Sequence, residues 1–466
     1  MIAAKLKYVY LIGIGGIGMS GLARYFRLAG KAVSGYDKTP SSLTDEMEQE
    51  GIAIHFEDNI EKIGAEVKNN PSPDDTLIIY TPAVPEEHSE LQYFRQGGFN
   101  IMKRADVLGA VSQGHYLVAV AGTHGKTTTT TLITHILKSA SMDCAAFLGG
   151  VSKNYNTNVL TGGNNSKGAM VVEADEYDRS FLKLNPDIAV ITSTDPDHLD
   201  IYGDRAHVRE GYSLFAKRLK RNGTLVTKQK LINELEYSGS AVTYSLEDGG
   251  SNFYAKNISV LNGSYTYDVV TPHGEIKSVK LGVGGMHNIE NSVAAAAVAL
   301  LLEVDSETIR MALETFKGVK RRFDYQINTP ELVYIDDYAH HPAELKACIS
   351  SVKALYPGKK VTGIFQPHLF TRTRDFADDF ARSLELLDSI ILLDIYPARE
   401  LPIPGIDSAM LLKKINNPNK KLCTRAGVLD AVTRNLPEVL ITMGAGDIDR
   451  LVEPLKEALL RQTEHA

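Results

Sequence analysis

The run Gly122-Thr123-His124-Gly125-Lys126-Thr127-Thr128 carries the clearest chemistry in the chain. Backbone N–H groups at closely spaced glycines can cradle phosphate oxygens, a lysine can reach the β- and γ-phosphates, and a threonine hydroxyl can ligate Mg²⁺. The run follows the apolar stretch Tyr116–Ala121 and opens a helical pattern, the setting a triphosphate site needs. Its GxxGKT ending departs from the common GxxxxGK[ST] form, whose first glycine would fall at Val120. The five threonines Thr127 to Thr131 are poor helix formers. That local cost is easier to understand if a ligand holds this terminus.

Mg²⁺ on a triphosphate takes hard oxygen ligands, expected at neighbouring strand ends. Two acidic clusters follow apolar runs: Glu173-Ala-Asp175-Glu176 after Met170–Val172, and Asp195-Pro-Asp197-His198-Leu-Asp200 after Ile188–Thr192. Singly, each reads as a solvated loop or a helix cap. Together, behind a phosphate loop, they favour metal binding, with Glu173 and His198 as leading ligands.

The first glycine turn of the chain, Gly13-Ile-Gly15-Gly16-Ile-Gly18, lies between the strand Tyr8–Ile12 and a helix through Leu28. It would let N–H groups approach a pyrophosphate at the helix N-terminus. Asp37 ends the next strand, where a ribose-binding acid is expected. The turn does not say which nucleotide it takes, and it could merely pack helix on strand. A dehydrogenase would use it but leave Lys126, Glu173 and His198 idle.

These residues need strands that end where they stand. Apolar runs at Thr76–Tyr80, Tyr116–Ala121, Ala169–Val172, Ile188–Thr192, Val333–Asp336, Val361–Phe365, Ile390–Leu393 and Val439–Thr442 alternate with helical patterns. Such alternation implies mostly parallel sheets, with ligands at the carboxyl ends of strands. After Asn222 the short segments Ser264–Val270 and Ile276–Val283 predict antiparallel hairpins, and an Ala-rich helix follows over Asn291–Leu302. The 466 residues suit about three domains. With 43% hydrophobic and 23% charged residues, wholesale disorder is excluded.

A formal charge of −7 argues against a general nucleic-acid binder. Cys144, Cys348 and Cys423 are isolated, which fits a reducing cytoplasm. Glycines interrupt the apolar start too soon for an export signal, and the run Val293–Leu302 is short of the ~20 residues that span a bilayer. No membrane role is expected.

The chain resembles the Mur ligases of peptidoglycan synthesis over nearly its whole length. The resemblance rests on GIGGIGMSG (13–21), AGTHGKTTT (121–129), EADE (173–176), DHLD (197–200), HNIEN (287–291), RRFD (321–324), DDYAHHP (336–342) and FQPHLFTRTRD (365–375). It implies an α/β protein of three domains. These are a Rossmann-like UDP-substrate domain over 1–114, a central P-loop-type ATPase domain with a mostly parallel sheet over 115–326, and a Rossmann-like amino-acid domain over 327–466. It also implies ATP and Mg²⁺ as cofactors, a cytoplasmic location, and a monomer or weak homodimer. DDYAHHP and Tyr396-Pro-Ala…Pro402-Ile-Pro404 look most like the members that join L-alanine to UDP-N-acetylmuramate. In that reaction ATP phosphorylates the muramyl carboxylate, and the alanine amine displaces phosphate. The alternatives are the recycling member that adds a murein tripeptide to the same UDP sugar, and a non-catalytic UDP-sugar sensor.

Carried onto this sequence, the resemblance implies a UDP site at Gly13, Gly15, Gly16, Gly18, Ser20 and Asp37. It implies an ATP site at Gly122, Thr123, His124, Gly125, Lys126, Thr127, Thr128, His287, Asn288, Asn291, Arg322 and Asp337. Thr127, Glu173 and His198 would ligate Mg²⁺; Lys126, Glu173, His198, Arg322 and Asp337 would act in catalysis. Alanine would meet Tyr338, His340 and Arg372, whose planar fork suits an α-carboxylate. Read without the resemblance, Asn288 and Asn291 cap a helix and Arg321 and Arg322 are a solvated pair. Leu369 stands where some relatives have arginine. Sister ligases carry a carbamylated lysine shortly after their counterpart of His198. Leu199 to Ala216 contains no lysine, and Lys217 reads as part of a solvated face. Glu173, or an ordinary acid such as Glu210, is expected to serve the second metal.

Overall fold

A computed structural model describes residues 5–68, 73–162, 168–195, 202–261, 264–398 and 400–463. Among them the strands form three sheets. β1 (Tyr8–Ile12), β2 (Ala32–Tyr36), β3 (Ala53–His55), β4 (Thr76–Tyr80) and β5 (Asn100–Lys103) line up as β3-β2-β1-β4-β5, all parallel. The second sheet takes β6 (Tyr116–Ala121), β7 (Cys144–Ser152), β8 (Thr157–Leu160), β9 (Ala169–Glu173), β10 (Ile188–Ile191), β11 (Thr224–Lys228), β12 (Ala241–Ser245), β13 (Phe253–Leu261), β14 (Ser264–Thr271) and β15 (Gly274–Lys280). Its order is β15-β14-β13-β12-β11-β10-β6-β9-β7-β8. The third holds β16 (Asp324–Asn328), β17 (Val333–Asp337), β18 (Val361–Phe365), β19 (Ser389–Leu392), β20 (Lys420–Leu422) and β21 (Val439–Met443), in the order β16-β17-β21-β18-β19-β20. Only its edge pair β16–β17 is antiparallel. The mostly parallel α/β architecture expected from the sequence is the one observed.

Beyond Asn222, β11, β12 and β13 first continue the parallel sheet; the segments expected as hairpins, Ser264–Val270 and Ile276–Val283, fall on β14 and β15, sheet neighbours joined by the two residues Pro272 and His273. Two expectations change. The Ala-rich helix begins at Met286, five residues before Asn291, so the HNIEN motif lies inside its first turns. β16 also opens the third sheet at Asp324, so this strand straddles the 326/327 boundary drawn from the sequence.

The chain divides into two compact units. One comprises Met1–Lys256, Asp268–Val279 and Glu290–Leu313; the other Asn257–Tyr267, Lys280–Ile289 and Glu314–Ala466. Within the first, β6 lies mid-sheet between β9 and β10, and Leu117 to Ala121 are buried. Full burial of a Val or Leu is worth roughly 1.5–3 kcal/mol, so apolar packing secures these strands and leaves the polar residues at their ends for chemistry. Register does the rest. Val120 lies opposite Glu173 and Ala121 opposite Ile191, so the glycine loop, the first acidic cluster and Thr192–Asp195 emerge side by side.

Candidate active site

The loop after β6 is pinned from both sides. His124 N–H donates to Ser193 Oγ at 2.8 Å, the Thr123 hydroxyl donates to the Asp195 carbonyl at 2.7 Å, and Thr192 Oγ1 donates to the Ala121 carbonyl at 3.1 Å. Gly125, at φ 83°, makes the left-handed turn into the helix Lys126–Ser139 that other residues adopt only under strain. A methyl group there would lie 2.7 Å from Asn291 Oδ1, so Asn291 closes on the loop. The threonine run has a structural cause that the sequence reading did not anticipate. Thr127 to Thr131 are all buried, and Thr130 and Thr131 donate to the carbonyls of Lys126 and Thr127 at 2.8 and 2.7 Å. Those bonds account for Thr130 and Thr131 without a ligand.

Lys126 Nζ donates to the Gly122 carbonyl at 2.7 Å and pairs with Glu176 at 2.8 Å. Burial alone would lower its pKa; the carboxylates of Glu176, Glu173 and Asp175 outweigh burial and hold the ammonium above its usual value. Glu176 is therefore the internal partner of Lys126, unmarked as a site residue in the sequence although it stands in the EADE motif. Its partner is 50 positions away and invisible to local spacing. Glu173, at the end of β9, accepts from Gly149 N–H at 3.1 Å. Beyond it, Asp178 and Arg179 sit at φ 52° and 53°, a left-handed pair in non-glycine residues. Strain of this kind costs ~1–3 kcal/mol per residue and clusters at functional sites. His198 lies outside the described residues.

At the first glycine turn, Gly15 N–H donates to Asp37 Oδ2 at 2.7 Å, so the acid ending β2 does reach the turn. Ser20 does not face it. Fully buried, its hydroxyl donates to the Ile17 carbonyl and accepts from Asn158 Nδ2, while Asn158 Oδ1 takes a 2.7 Å bond from Arg24. Ser20 thus ties the helix Ile17–Leu28 to β8. Gly18 faces the guanidinium of Arg104, which pairs with Asp175 at 2.9 Å.

The second unit gathers another polar group at the carboxyl ends of β17, β18 and β21. The Tyr338 ring lies 4.9 Å from the Arg322 guanidinium and 5.1 Å from that of Arg321. Ring contacts run from Tyr338 to His340 (5.3 Å) and on to His368 (6.1 Å), whose Nδ1 lies 3.4 Å from Arg372. Tyr338, His340 and Arg372, expected as one site, are therefore brought together. His340 Nδ1 is 3.0 Å from the Tyr338 carbonyl, which can only accept, so this nitrogen carries the hydrogen. Burial lowers the imidazole to about 4, with Arg372 adding to the effect, so it is neutral at pH 7. Asp337 is turned inward and accepts from Phe323 and Ala339 N–H at 2.7 and 2.8 Å. Burial raises it to about 6 against the opposing Arg322 charge. Asn288, in the first turn of the helix Met286–Leu301, donates from Nδ2 to the Gly284 carbonyl at 2.6 Å, which is not the bond of a helix cap. His287 packs beside Phe323. Leu369 takes φ 72° immediately before the helix Phe370–Asp375, which carries Arg372.

Three family descriptions match in order. "Mur ligase family, catalytic domain" matches residues 8–116, "Mur ligase middle domain" 120–299, and "Mur ligase, glutamate ligase domain" 321–447. The chain belongs to the Mur ligase family. A UDP-N-acetylmuramate–L-alanine ligase of Parabacteroides distasonis is 53% identical over 460 residues, covering 98% of both chains. Among solved structures, the UDP-N-acetylmuramate–alanine ligase of Thermotoga maritima is similar at TM-score 0.80 and 25% identity, over 97% of this chain and 99% of that one. A murein peptide ligase of Psychrobacter arcticus shares the fold at TM-score 0.68 and 22% identity, over 97% and 98%. In this Mur ligase the first unit holds both glycine turns and the acidic cluster, and the second holds the DDYAHHP and FQPHLFTRTRD residues.

Proposed function

We infer that the chain joins L-alanine to the carboxylate of UDP-N-acetylmuramate with ATP as the energy source, in peptidoglycan precursor synthesis. The observation that carries this is the conjunction of Lys126 in a pinned phosphate loop with relatives of that activity along the whole chain. The carboxylate oxygen attacks the γ-phosphorus and ADP departs. The alanine amine then attacks the acyl carbon, phosphate departs, and the amine gives up a proton. A carboxylate resists amine attack, so the acyl phosphate divides one hard step into two easier ones. Lys126 leaves Glu176 for the transferred phosphoryl group and stabilises charge as it develops.

We assign the domains to residues 1–114 for the UDP substrate, 115–323 for ATP and 324–466 for the amino acid, which keeps β16 with its sheet. Gly13, Gly15, Gly16 and Gly18 receive the diphosphate, and Gly122 to Thr128 with Asn291 hold the nucleotide. Hard oxygens suit Mg²⁺, and the Glu173 carboxylate and Thr127 hydroxyl supply that chemistry, with His198 completing the set. The ion would offset phosphate charge. Asp337 serves by fixing the backbone next to Arg322. Arg372 takes the alanine carboxylate, and neutral His340 presents its unprotonated Nε2. Among the described residues no helix is long and apolar enough to cross a membrane, consistent with a cytoplasmic enzyme. We assign a monomer or weak homodimer.

The test is ATP-dependent product formation from UDP-N-acetylmuramate with alanine, serine, glycine and the murein tripeptide side by side. Alanine should give the highest kcat/KM. Glycine and serine should be poorer rather than inert, since one methylene is worth only ~1–3 kcal/mol. Preference for the tripeptide would overturn the assignment in favour of a recycling ligase.

A further inference from the structure

Arg104 opens the helix Arg104–Ser112 directly after β5, and its side chain is 17% exposed. A methyl group on Gly18 would lie 2.7 Å from one of its guanidinium nitrogens, so the guanidinium rests against the first turn of the helix Ile17–Leu28. Another of its nitrogens meets Asp175 Oδ2 at 2.9 Å, in a cleft lined also by Glu173 and Ser180. Two further ion pairs hold the same junction: Lys103 with Asp178 at 3.7 Å, and Asp106 with Lys183 at 2.9 Å. Arg104 is thus the cation that stands over a glycine turn having none of its own between Gly13 and Gly21.

We propose that Arg104 is a further ligand for the diphosphate of the UDP-linked substrate and exchanges Asp175 for it on binding. The proposal rests on the reading of Gly13–Gly18 as the UDP site. The guanidinium fork matches two phosphate oxygens at once, and the helix N-terminus behind Gly18 adds partial positive charge for the same anion. Asp175 is 39% exposed, so the ion pair that must break is weak. A diphosphate carries more charge than one carboxylate and displaces it. Gly18 is explained as well, because any side chain there would push the guanidinium off the turn.

Calorimetric titration of the full chain with UDP and with UMP separates this role from a purely structural one. Arg104→Ala should lose UDP affinity roughly tenfold or more, with UMP affinity unchanged and Arg104→Lys intermediate. Asp175→Asn breaks the same ion pair but leaves the guanidinium, so it should bind UDP as well as the wild type or better. Equal UDP losses in Arg104→Ala and Asp175→Asn would show that Arg104 is only a brace, and an unaltered Arg104→Ala would also overturn the proposal. A wild-type chain that binds UDP while Arg104→Ala binds it equally defeats this inference alone. A wild-type chain that binds no UDP defeats the glycine-turn reading and this inference with it.

Discussion

The two glycine turns differ in where their charge comes from. Both close a parallel strand and open a helix, and both already hold a carboxylate of their own chain: Asp37 on Gly15 N–H, and Glu176 on Lys126. The second turn has its cation built in, nearly buried and held by a loop carbonyl. The first has none and meets Arg104 from another helix. The strands beneath differ too. β6 is apolar from Leu117 to Ala121, whereas β1 carries Tyr10, whose hydroxyl donates to the buried Glu90 at 2.7 Å and meets His55 at 2.8 Å. A turn that only holds a diphosphate needs donors and can borrow charge. A turn where phosphoryl transfer occurs needs charge fixed in advance, because stabilisation there must cost no reorganisation.

The comparison breaks most clearly at Lys126. Lys126→Ala should lower kcat by roughly 10²–10³ or more, while calorimetric UDP affinity stays at the wild-type value. Near-normal turnover would mean that the second turn is not the reacting one.

A smaller effect sharpens the idea of an internal carboxylate standing in for phosphate. Glu176→Gln removes the charge that competes with ATP for Lys126 and should tighten ATP binding several-fold in equilibrium titration. Weaker binding would show instead that Glu176 and Lys126 work together on the nucleotide.

The strand beneath the first turn predicts a pH effect that the second should lack. Burial, against the opposing Tyr10 and Asn59 hydrogen bonds, raises Glu90 from 4.5 to about 7. Stability from this group is therefore fully present below about pH 4.5 and is lost as pH rises through about 7. The contribution is on the order of 3 kcal/mol. Thermal unfolding between pH 5 and 8 should fall more steeply for the wild type than for Glu90→Gln. Parallel curves would refute the assignment.

The same contrast marks what could be read from the sequence. Periodicity and glycine spacing located β1, β4 and β6 to the residue, because an apolar run between turns has few alternative readings. Lys126, Tyr338, His340 and Arg372 were legible because their motifs name them. Glu176, Asn158 and Arg104 were not. Each acts through a partner 50 to 134 positions away, and nothing local announces a long-range ion pair. Ser20 was misplaced for the converse reason: a motif fixes the chain position but not which face of the helix packs inward.

The smallest expected effect concerns Lys217. If this chain followed its sister ligases, a carbamylated lysine would supply a carboxylate towards the second metal. Lys217 is the first lysine after His198. It follows the helix Arg205–Ala216, is 51% exposed, and pairs with Glu236 at 3.2 Å. Carbamylation would convert the ammonium to an anion facing that carboxylate, so the pair seen here argues against the modification. Exposed pairs of this kind contribute only ~0–1 kcal/mol. Lys217→Ala should therefore retain most of the wild-type kcat, and added bicarbonate should change neither protein. Glu210 is likewise exposed on its helix, which leaves Glu173, anchored by Gly149, as the stronger candidate for the extra anionic oxygen. Strong inactivation by Lys217→Ala, rescued by bicarbonate or a short carboxylic acid, would reverse that choice and place lysine chemistry beside the second turn after all.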